Sequence, residues 1–397
     1  MQPKSKKNSY PQYLIHVMGY DSMKYGILER YVINLALKAR ECGFEIILIY
    51  NKQPKSRDFL NKLNDFKIKY CIADALSILD FWKVFRKLTK KYQPILVHSH
   101  FQPLLPSFYG FVLGYKYRWN TNRLMLIDKN YKEIHSKKAL KPHSRLYRYL
   151  INIFTNKFFC VSQAVYIQYK NIYPKQNKKL HVLYNGVPNI GYNKKEARKM
   201  VGFSNSTIYI CSILFASKIK GADILIKAFK YFIDNYDKDN VRLCLVGLNK
   251  ESALSRSISS MIEEYNLNDK IINFGIINNV PEILPAMDIY VQPSRSESLS
   301  NAIIEAGLYA IPAIGTNIGG IPEVILEGKT GFLFSYENSL ELSEKLLLLV
   351  KHKALRENMG EAAKKHVLQN FIMEEKINQL LTYYLGCLKN STDDQFL

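Results

Sequence analysis

The sequence predicts an α/β fold of two successive doubly wound, Rossmann-like domains. Three observations carry that reading. Short β-branched and aromatic runs alternate with longer amphipathic stretches, the pattern of βαβ units whose parallel sheet is covered by helices on both faces. The series starts again near Thr207, after a turn-rich stretch, Tyr184-Asn-Gly-Val-Pro-Asn-Ile-Gly-Tyr192. The charge divides at the same place: residues 1–190 hold 33 Lys and Arg against 10 Asp and Glu, whereas residues 191–397 hold 23 against 24.

In the first half, Leu14–Gly19 reads as a strand, Gly26–Cys42 as a helix and Glu45–Tyr50 as the next strand. Lys69–Ile72 and Ile95–Ser99 continue the series, with helical patterns between them. Further on, Tyr147, Leu150 and Phe154 recur at helical spacing and are expected to form the core stripe of a helix. In the second half, Ile208–Leu214, Val241–Gly247, Ile271–Phe274, Ile289–Gln292 and Ala313–Thr316 read as strands, and Ala222–Ile233 and Ser255–Tyr265 as helices. From Ser339 to Lys389 the pattern is helical. The expected division is an N-terminal domain over residues 1–190 and a C-terminal domain over 191–371. A last helix over 372–397 is expected to pack back on the first domain.

Composition narrows the class. With 397 residues, 47% hydrophobic and 23% charged, the chain is globular and neither disordered nor fibrous. The six cysteines are far apart with no C-x-x-C pair, which argues against a disulfide framework or zinc site and for a reducing compartment. No segment approaches the roughly 18 apolar residues of a membrane span. The basic start, Met1-Gln-Pro-Lys-Ser-Lys-Lys, has no apolar h-region after it. The expectation is a cytoplasmic protein that can still lie on a membrane.

In open parallel sheets, ligands bind beyond the carboxyl ends of the strands, so the loops there are the place to look. The informative one is Gln292-Pro-Ser-Arg-Ser-Glu-Ser-Leu-Ser-Asn-Ala-Ile-Ile-Glu-Ala306. A strand ends near Gln292 and a helix starts near Ser300 or Asn301. The free amides and partial positive charge of a helix N-terminus suit a phosphate. Glu305, about a turn inside the helix, can accept both hydroxyls of a ribose, and Glu297 in the loop can accept hydroxyls beyond the phosphates. The pattern reads as a nucleotide-sugar site, and spacing alone leaves open that both are solvated surface carboxylates.

The segment Ser296-Glu297-Ser-Leu-Ser-Asn-Ala-Ile-Ile-Glu305-Ala resembles the E-x7-E signature of retaining GT-B glycosyltransferases, family 4 (glycosyl transferases group 1). The resemblance continues in Pro312-Ala-Ile-Gly-Thr-Asn-Ile-Gly-Gly-Ile-Pro-Glu323-Val, Glu327-Gly-Lys-Thr-Gly331, Tyr184-Asn-Gly-Val187, Lys220-Gly-Ala-Asp-Ile-Leu-Ile-Lys-Ala-Phe229 and Leu245-Val-Gly247. In the first half, Val97-His-Ser-His100 and Met23-Lys-Tyr-Gly26-Ile-Leu-Glu29-Arg30 resemble the family's HxH strand end and glycine loop. The resemblance implies a GT-B architecture, two Rossmann-like domains facing a central cleft.

It also implies roles. Glu305 would hold the ribose, Glu297 would contact the donor sugar, and Lys220 would neutralise the departing diphosphate. The amides of Leu299, Ser300 and Asn301 would touch phosphate and sugar, and Gly26 would let the first domain's backbone come close. His98 and His100 are weaker candidates, meeting a sugar or serving as hydrogen-bonded structural histidines. The chain departs from the family at three places. Phe215 stands where the family has an Arg five residues before Lys220, leaving Lys218 as the second cation. Ile127 is aligned with the His of a T-x-H-D context, and Ile27 takes the place of a second Gly. Asp237-Lys-Asp239, formally a metal-binding DxD, is expected on the amino-end side of a strand, so the chemistry is expected to be metal-independent and without a cofactor.

The resulting expectation is a retaining hexosyltransferase moving a sugar from a nucleotide-diphospho-sugar, a UDP-sugar favoured over a GDP-sugar, to a lipid-linked glycan acceptor. The setting would be O-antigen (lipopolysaccharide), capsule or exopolysaccharide synthesis. Basic residues interleaved with aromatics over 115–158 fit an anionic membrane surface, here the cytoplasmic face of the inner membrane. The alternatives are a non-catalytic GT-B subunit that binds nucleotide or lipid and supports a partner enzyme, suggested by Phe215 and Ile127, and a nucleic-acid binder. The last rests on charge alone and is not expected.

Overall fold

The computed structural model describes residues 11–74, 77–101, 104–128, 130–134, 142–214, 217–236, 240–249, 252–277 and 280–393. Phe215 and Asp237-Lys-Asp239 lie outside them. Two parallel sheets form the frame. The first holds β1 (Gln12–Val17), β2 (Phe44–Tyr50), β3 (Lys69–Ile72), β4 (Leu96–His100), β5 (Tyr117–Asn122), β6 (Lys157–Cys160) and β7 (Leu180–Val182), in the order β3-β2-β1-β4-β5-β6-β7. The second holds β8 (Ile208–Ile213), β9 (Val241–Val246), β10 (Ile271–Gly275), β11 (Ile289–Gln292), β12 (Ala313–Thr316) and β13 (Gly331–Phe334), in the order β10-β9-β8-β11-β12-β13.

Side chains alternate across each strand, so a strand covered on both faces must be apolar throughout. Leu14, Ile46 and Leu48 pack with Val32 and Leu35 of the Ile27–Glu41 helix. Ile15, Ile47 and Ile49 face the other way, onto Phe81 and Phe85 of the Ile78–Tyr92 helix. In the second sheet, Leu243 and Leu245 meet Phe229 and Phe232 of the Ala222–Asn235 helix, while Cys244 and Val246 join the cluster of Ile303 and Ile304. Helices thus cover both faces of each sheet.

Strand order reverses between β1 and β4 in the first sheet and between β8 and β11 in the second. These switch points open the crevices in which doubly wound sheets bind ligands. Among the described residues no helix is long and apolar enough to cross a membrane.

The chain leaves the second sheet through helices Ser339–Lys351 and Lys353–Asn370, then crosses back. Val187 N–H donates to the Phe371 carbonyl at 2.9 Å, and Met373 N–H donates to the Val187 carbonyl at 2.9 Å. A Cβ on Gly186 would stand 2.4 Å from Met373 Cα, so only glycine lets the two segments meet. The last helix, Met373–Asp393, buries Ile377, Leu380 and Tyr384 against the first domain's core.

The expected stripe of Tyr147, Leu150 and Phe154 is corrected. Among the described side chains of the Pro142–Phe154 helix the buried ones are Ile151 and Asn152, while Tyr147 is 42% exposed. The face toward the sheet is rotated by about one residue, with Phe154 packing instead on Phe108 and Phe111 of the neighbouring Leu104–Val112 helix.

Candidate active site

The loop after β11 is fixed from within. The Gln292 side chain accepts from Tyr290 Oη (2.7 Å) and Ser300 Oγ (3.2 Å) and donates to Ser294 Oγ (2.7 Å). Ser300 caps the Asn301–Leu308 helix. Two glycines hold the loop from outside. A Cβ on Gly319 would stand 1.9 Å from the Glu297 carbonyl oxygen, and one on Gly320 2.2 Å from that of Ser298. That close approach lets Gly320 N–H donate to the Glu297 carbonyl at 3.0 Å. Ser298 Oγ crosses to the first domain and donates to the Arg123 carbonyl at 2.7 Å.

Lys220 ends a 3-10 turn, Lys218–Lys220, after β8. The next residue, Gly221, has φ +68, and a Cβ there would lie 1.9 Å from the Pro293 carbonyl oxygen, so the two loops touch only because it is glycine. Arg295 ties them together. It makes a two-pronged pair with Asp223 (2.9 and 2.8 Å), a 2.6 Å bond to Glu337 and a 2.8 Å bond to the Lys218 carbonyl. These carboxylates hold its guanidinium above the usual arginine range. With both loops fixed, Lys220 Nζ sits 2.6 Å from Glu297 Oε2, both side chains mostly buried.

The first domain supplies the facing wall. Glu29 accepts from Ser22 Oγ at 2.8 Å and from Gly26 N–H at 2.9 Å, fixing the glycine loop at the start of the Ile27–Glu41 helix. Gly26 has φ −104, a value any residue adopts, and a Cβ there would meet the end of the flexible Glu29 side chain at 3.3 Å, so a side chain here would press on the carboxylate that fixes the loop.

Gly26, Lys220, Glu297, Leu299, Ser300, Asn301 and Glu305 line one cleft of about 450 Å³ between the domains. Burial pushes the Glu305 carboxyl up to about 7, against the pull of Lys24 and Arg30. Asn301 Oδ1, at the helix start, is buried without a hydrogen-bond partner among the described residues. The second-domain wall of the cleft therefore offers a cation, two carboxylates and a helix N-terminus within one volume, the set that a sugar–diphosphate–ribose chain requires.

Three expected residues are placed elsewhere. The Lys218 side chain is exposed and outside the cleft lining; its carbonyl, rather than its ammonium, is engaged. His98 and His100 are fully buried and do not line the cleft. His98 Nδ1 lies 2.9 Å from Tyr384 Oη and its Nε2 2.7 Å from Thr121 Oγ1. Tyr384 Oη also lies 2.9 Å from His16 Nε2, and His16 Nδ1 lies 3.2 Å from His100 Nε2. Their sequence spacing put them at a strand end, but strand β4 turns both rings inward under the last helix.

Ile127 is likewise corrected. It packs on the core and bridges to Glu133, beyond the end of β5. The strand ends at Asn122, so Thr121-Asn122-Arg123 occupies the strand-end position and Arg123 is the residue that follows it. Sequence reasoning missed Arg295, Arg123 and Tyr384. Arg295 stands two residues before Glu297, and its fork with Asp223, in the first turn of the Ala222–Asn235 helix, is the signal that spacing alone does not give.

The arrangement is a GT-B fold with its cleft between two Rossmann-like domains. Residues 28–189 match the family model described as Glycosyltransferase Family 4, and residues 193–366 match that described as Glycosyl transferases group 1. The two matches follow one another along the chain, one on each domain. Among curated relatives, it is 30% identical over 219 residues to N-acetyl-alpha-D-glucosaminyl L-malate synthase of Bacillus anthracis, covering 54% of this chain and 56% of that protein. It is 26% identical over 200 residues to the capsular polysaccharide biosynthesis glycosyltransferase CapM of Staphylococcus aureus, covering 50% and 51%. These matches span little more than half of the relatives' length. The solved glycosyltransferase of Rickettsia africae superposes with a TM-score of 0.78 at 21% identity, covering 96% and 100% of the two chains. Anabaena Alr3699/HepE in complex with UDP does so with 0.75 at 18% identity, covering 94% and 99%.

Proposed function

We propose that the protein transfers a hexose from a nucleotide-diphospho-sugar to a glycan acceptor with retention of configuration. The observation that carries this is the single cleft in which Lys220, Glu297, Glu305 and the Asn301–Leu308 helix start converge. Glu305 accepts the ribose hydroxyls, the helix amides and Lys220 take the diphosphate, and Glu297 takes hydroxyls of the sugar. Among the described residues of the cleft no side chain stands as an evident nucleophile, so attack and departure share one face and the leaving phosphate oxygen takes the acceptor proton. No step calls for a metal or a cofactor. A UDP-sugar is the favoured donor, in keeping with the Anabaena neighbour's complex with UDP.

The acceptor is read as a lipid-linked glycan of a surface polysaccharide, O-antigen or capsule, presented at the inner membrane's cytoplasmic face. The excess charge of residues 1–190 supports this, as do Phe111 (53% exposed), Leu146 (61%) and Tyr149 (56%) on the packed helices Leu104–Val112 and Pro142–Phe154. A thermal-shift panel of UDP-, GDP- and ADP-sugars tests the donor class. NMR of the product's anomeric proton tests retention, and an inverted product rejects it. Sedimentation with anionic vesicles across a salt series tests the membrane reading.

A further inference from the structure

A second cavity of about 800 Å³ lies beyond the carboxyl end of β5, walled by the Pro142–Phe154 and Gln163–Ile172 helices. Among the described residues it shares no lining residue with the donor cleft. Two guanidiniums, Arg123 and Arg148, line it. Among the described residues neither pairs with a carboxylate, and the Nε of each is buried without a partner. Arg148 Nη1 donates to Tyr169 Oη at 3.1 Å. Arg123 Nη1 donates to Asn185 Oδ1 at 2.7 Å, and its Nη2 lies 3.4 Å from His100 Nδ1. Asp128, the carboxylate on the wall, already accepts from the backbone N–H groups of Asn130 (2.7 Å) and Lys132 (3.0 Å).

Taking a cation out of water is costly unless an anion meets it. The neighbours of Arg123 are neutral: a guanidinium has only donors, so His100 Nδ1 accepts, its Nε2–H donates to His16 Nδ1, and His16 Nε2–H donates on to Tyr384. The imidazoles orient Arg123, and the rings of Tyr31 and Phe101, 5.4 and 6.0 Å from its guanidinium carbon, meet it without bringing a formal negative charge. Around Arg148 stand Tyr147, Tyr169 and Tyr173, the hydroxyl of Tyr173 buried without a partner. Phenols and unpaired guanidinium nitrogens together suit a ligand that brings both negative charge and hydroxyls. Guanidinium forks match phosphate oxygens in particular. A cavity of this size lies within the range of ordinary ligand pockets, and its lining touches the donor loop, because the Arg123 carbonyl holds Ser298, the neighbour of Glu297.

We propose that this cavity binds the phosphate-bearing end of a sugar phosphate or of a lipid-linked sugar diphosphate, with Arg123 and Arg148 on the phosphate and the tyrosines on the sugar. Its place as the second-substrate site rests on the transferase reading above, while the binding itself does not.

The test titrates the full chain calorimetrically with glucose 1-phosphate, and measures its sedimentation with phosphatidylcholine vesicles containing or lacking a polyprenyl diphosphate. Wild type, Arg148→Gln and Tyr173→Phe are compared, with UDP titrated in parallel. Saturable binding of either probe is expected, weakened tenfold or more in R148Q and severalfold in Y173F, with UDP affinity unmoved. Binding of the soluble probe identifies a free sugar phosphate as the source; binding confined to the diphosphate vesicles identifies a lipid. Neither probe binding overturns the proposal, as do wild-type affinities in both variants. A parallel loss of UDP affinity in Y173F overturns it too, since the two ligands would then share one site. Wild-type protein that binds the phosphate probe but no UDP leaves this site standing and removes the donor reading instead.

Discussion

Lys220 Nζ and Glu297 Oε2 stand 2.6 Å apart across the floor of the cleft, each carried by a different loop of the second domain. The pair has a consequence for catalysis. A diphosphate arriving at the helix start competes with Glu297 for the ammonium, and Glu297 is then released toward the sugar. Replacing Glu297 by Gln removes the competitor but keeps the shape. UDP affinity in E297Q is expected to hold or rise, while sugar transfer falls at least a hundredfold. Lys220→Ala is expected to weaken UDP about tenfold to a hundredfold, the worth of a charged hydrogen bond. Calorimetry with UDP and an initial-rate assay check both. A fall in UDP affinity in E297Q would mean that the carboxylate serves to place Lys220.

Glu305 is expected to give nucleotide binding a pH step. Its folded pKa, about 7, exceeds the ordinary 4.5, so the folded state holds a proton that the unfolded state has lost between those values. Stability from this group is therefore present below about 4.5 and is lost as pH rises through about 7. A ribose diol donates to the ionised form, so UDP should bind more tightly at pH 8 than at pH 6. Glu305→Gln should abolish nucleotide binding while raising the melting temperature at pH 8 and leaving it near wild type at pH 4.5. Melting curves at the two pH values decide it; an unchanged difference between them would place the Glu305 pKa in the normal range.

The buried histidines act in the opposite direction. Burial, and then the nearby Arg123, lowers His16 to about 3, and burial also pulls His98 and His100 well below 6.5. Each is neutral when folded and protonated when unfolded below pH 6.5, so stability is full above 6.5 and declines as pH falls toward the folded pKa. The first domain should lose stability on acidification from pH 6.5, with the last helix released alongside it because Tyr384 joins His16 to His98. Tyr384→Phe leaves both imidazoles short of a partner and should cost about 1–3 kcal/mol at neutral pH. Urea unfolding measures this. Equal stability of Y384F and wild type would show that the hydroxyl contributes no net bond.

Which parts of this were legible in the sequence follows from burial. Ile289–Gln292 and Ala313–Thr316 are read to the residue because strands covered on both faces are apolar runs. β5 escapes notice because Asn120, Thr121 and Asn122 are polar yet buried, bonded to one another and to their neighbours rather than to water. β7 is three residues long and β13 starts at a glycine with φ +158, too little pattern to register. Glu297 and Glu305 could be found because one loop and one helix carry both. Arg123 and Tyr384 could not, because each acquires its surroundings from segments far away in the chain.

Gly320 offers a test of the loop that carries Glu297. Its φ is −86, a value any residue adopts, so a Gly320→Ala change brings no backbone strain of its own. The obstacle is contact: the new Cβ would lie 2.2 Å from the Ser298 carbonyl oxygen and 3.2 Å from Leu299 Cα, both backbone atoms that cannot swing aside. The loop must move away from the Ile321–Val324 turn, stretching the Gly320 N–H bond to Glu297 and pulling Ser298 from the Arg123 carbonyl. Overpacking of this kind costs typically 1–3 kcal/mol, enough to lower the melting temperature by several degrees. Because the shift starts at Glu297, transfer should fall further than stability alone explains, with folded G320A losing at least tenfold in kcat at temperatures well below its transition. Gly202→Ala is a poor comparison because φ there is +71, whereas Gly386→Ala, with open space around its Cβ and a helical position, should leave both stability and rate near wild type. A G320A variant that melts and turns over like G386A would mean that the loop has room the close approach denies.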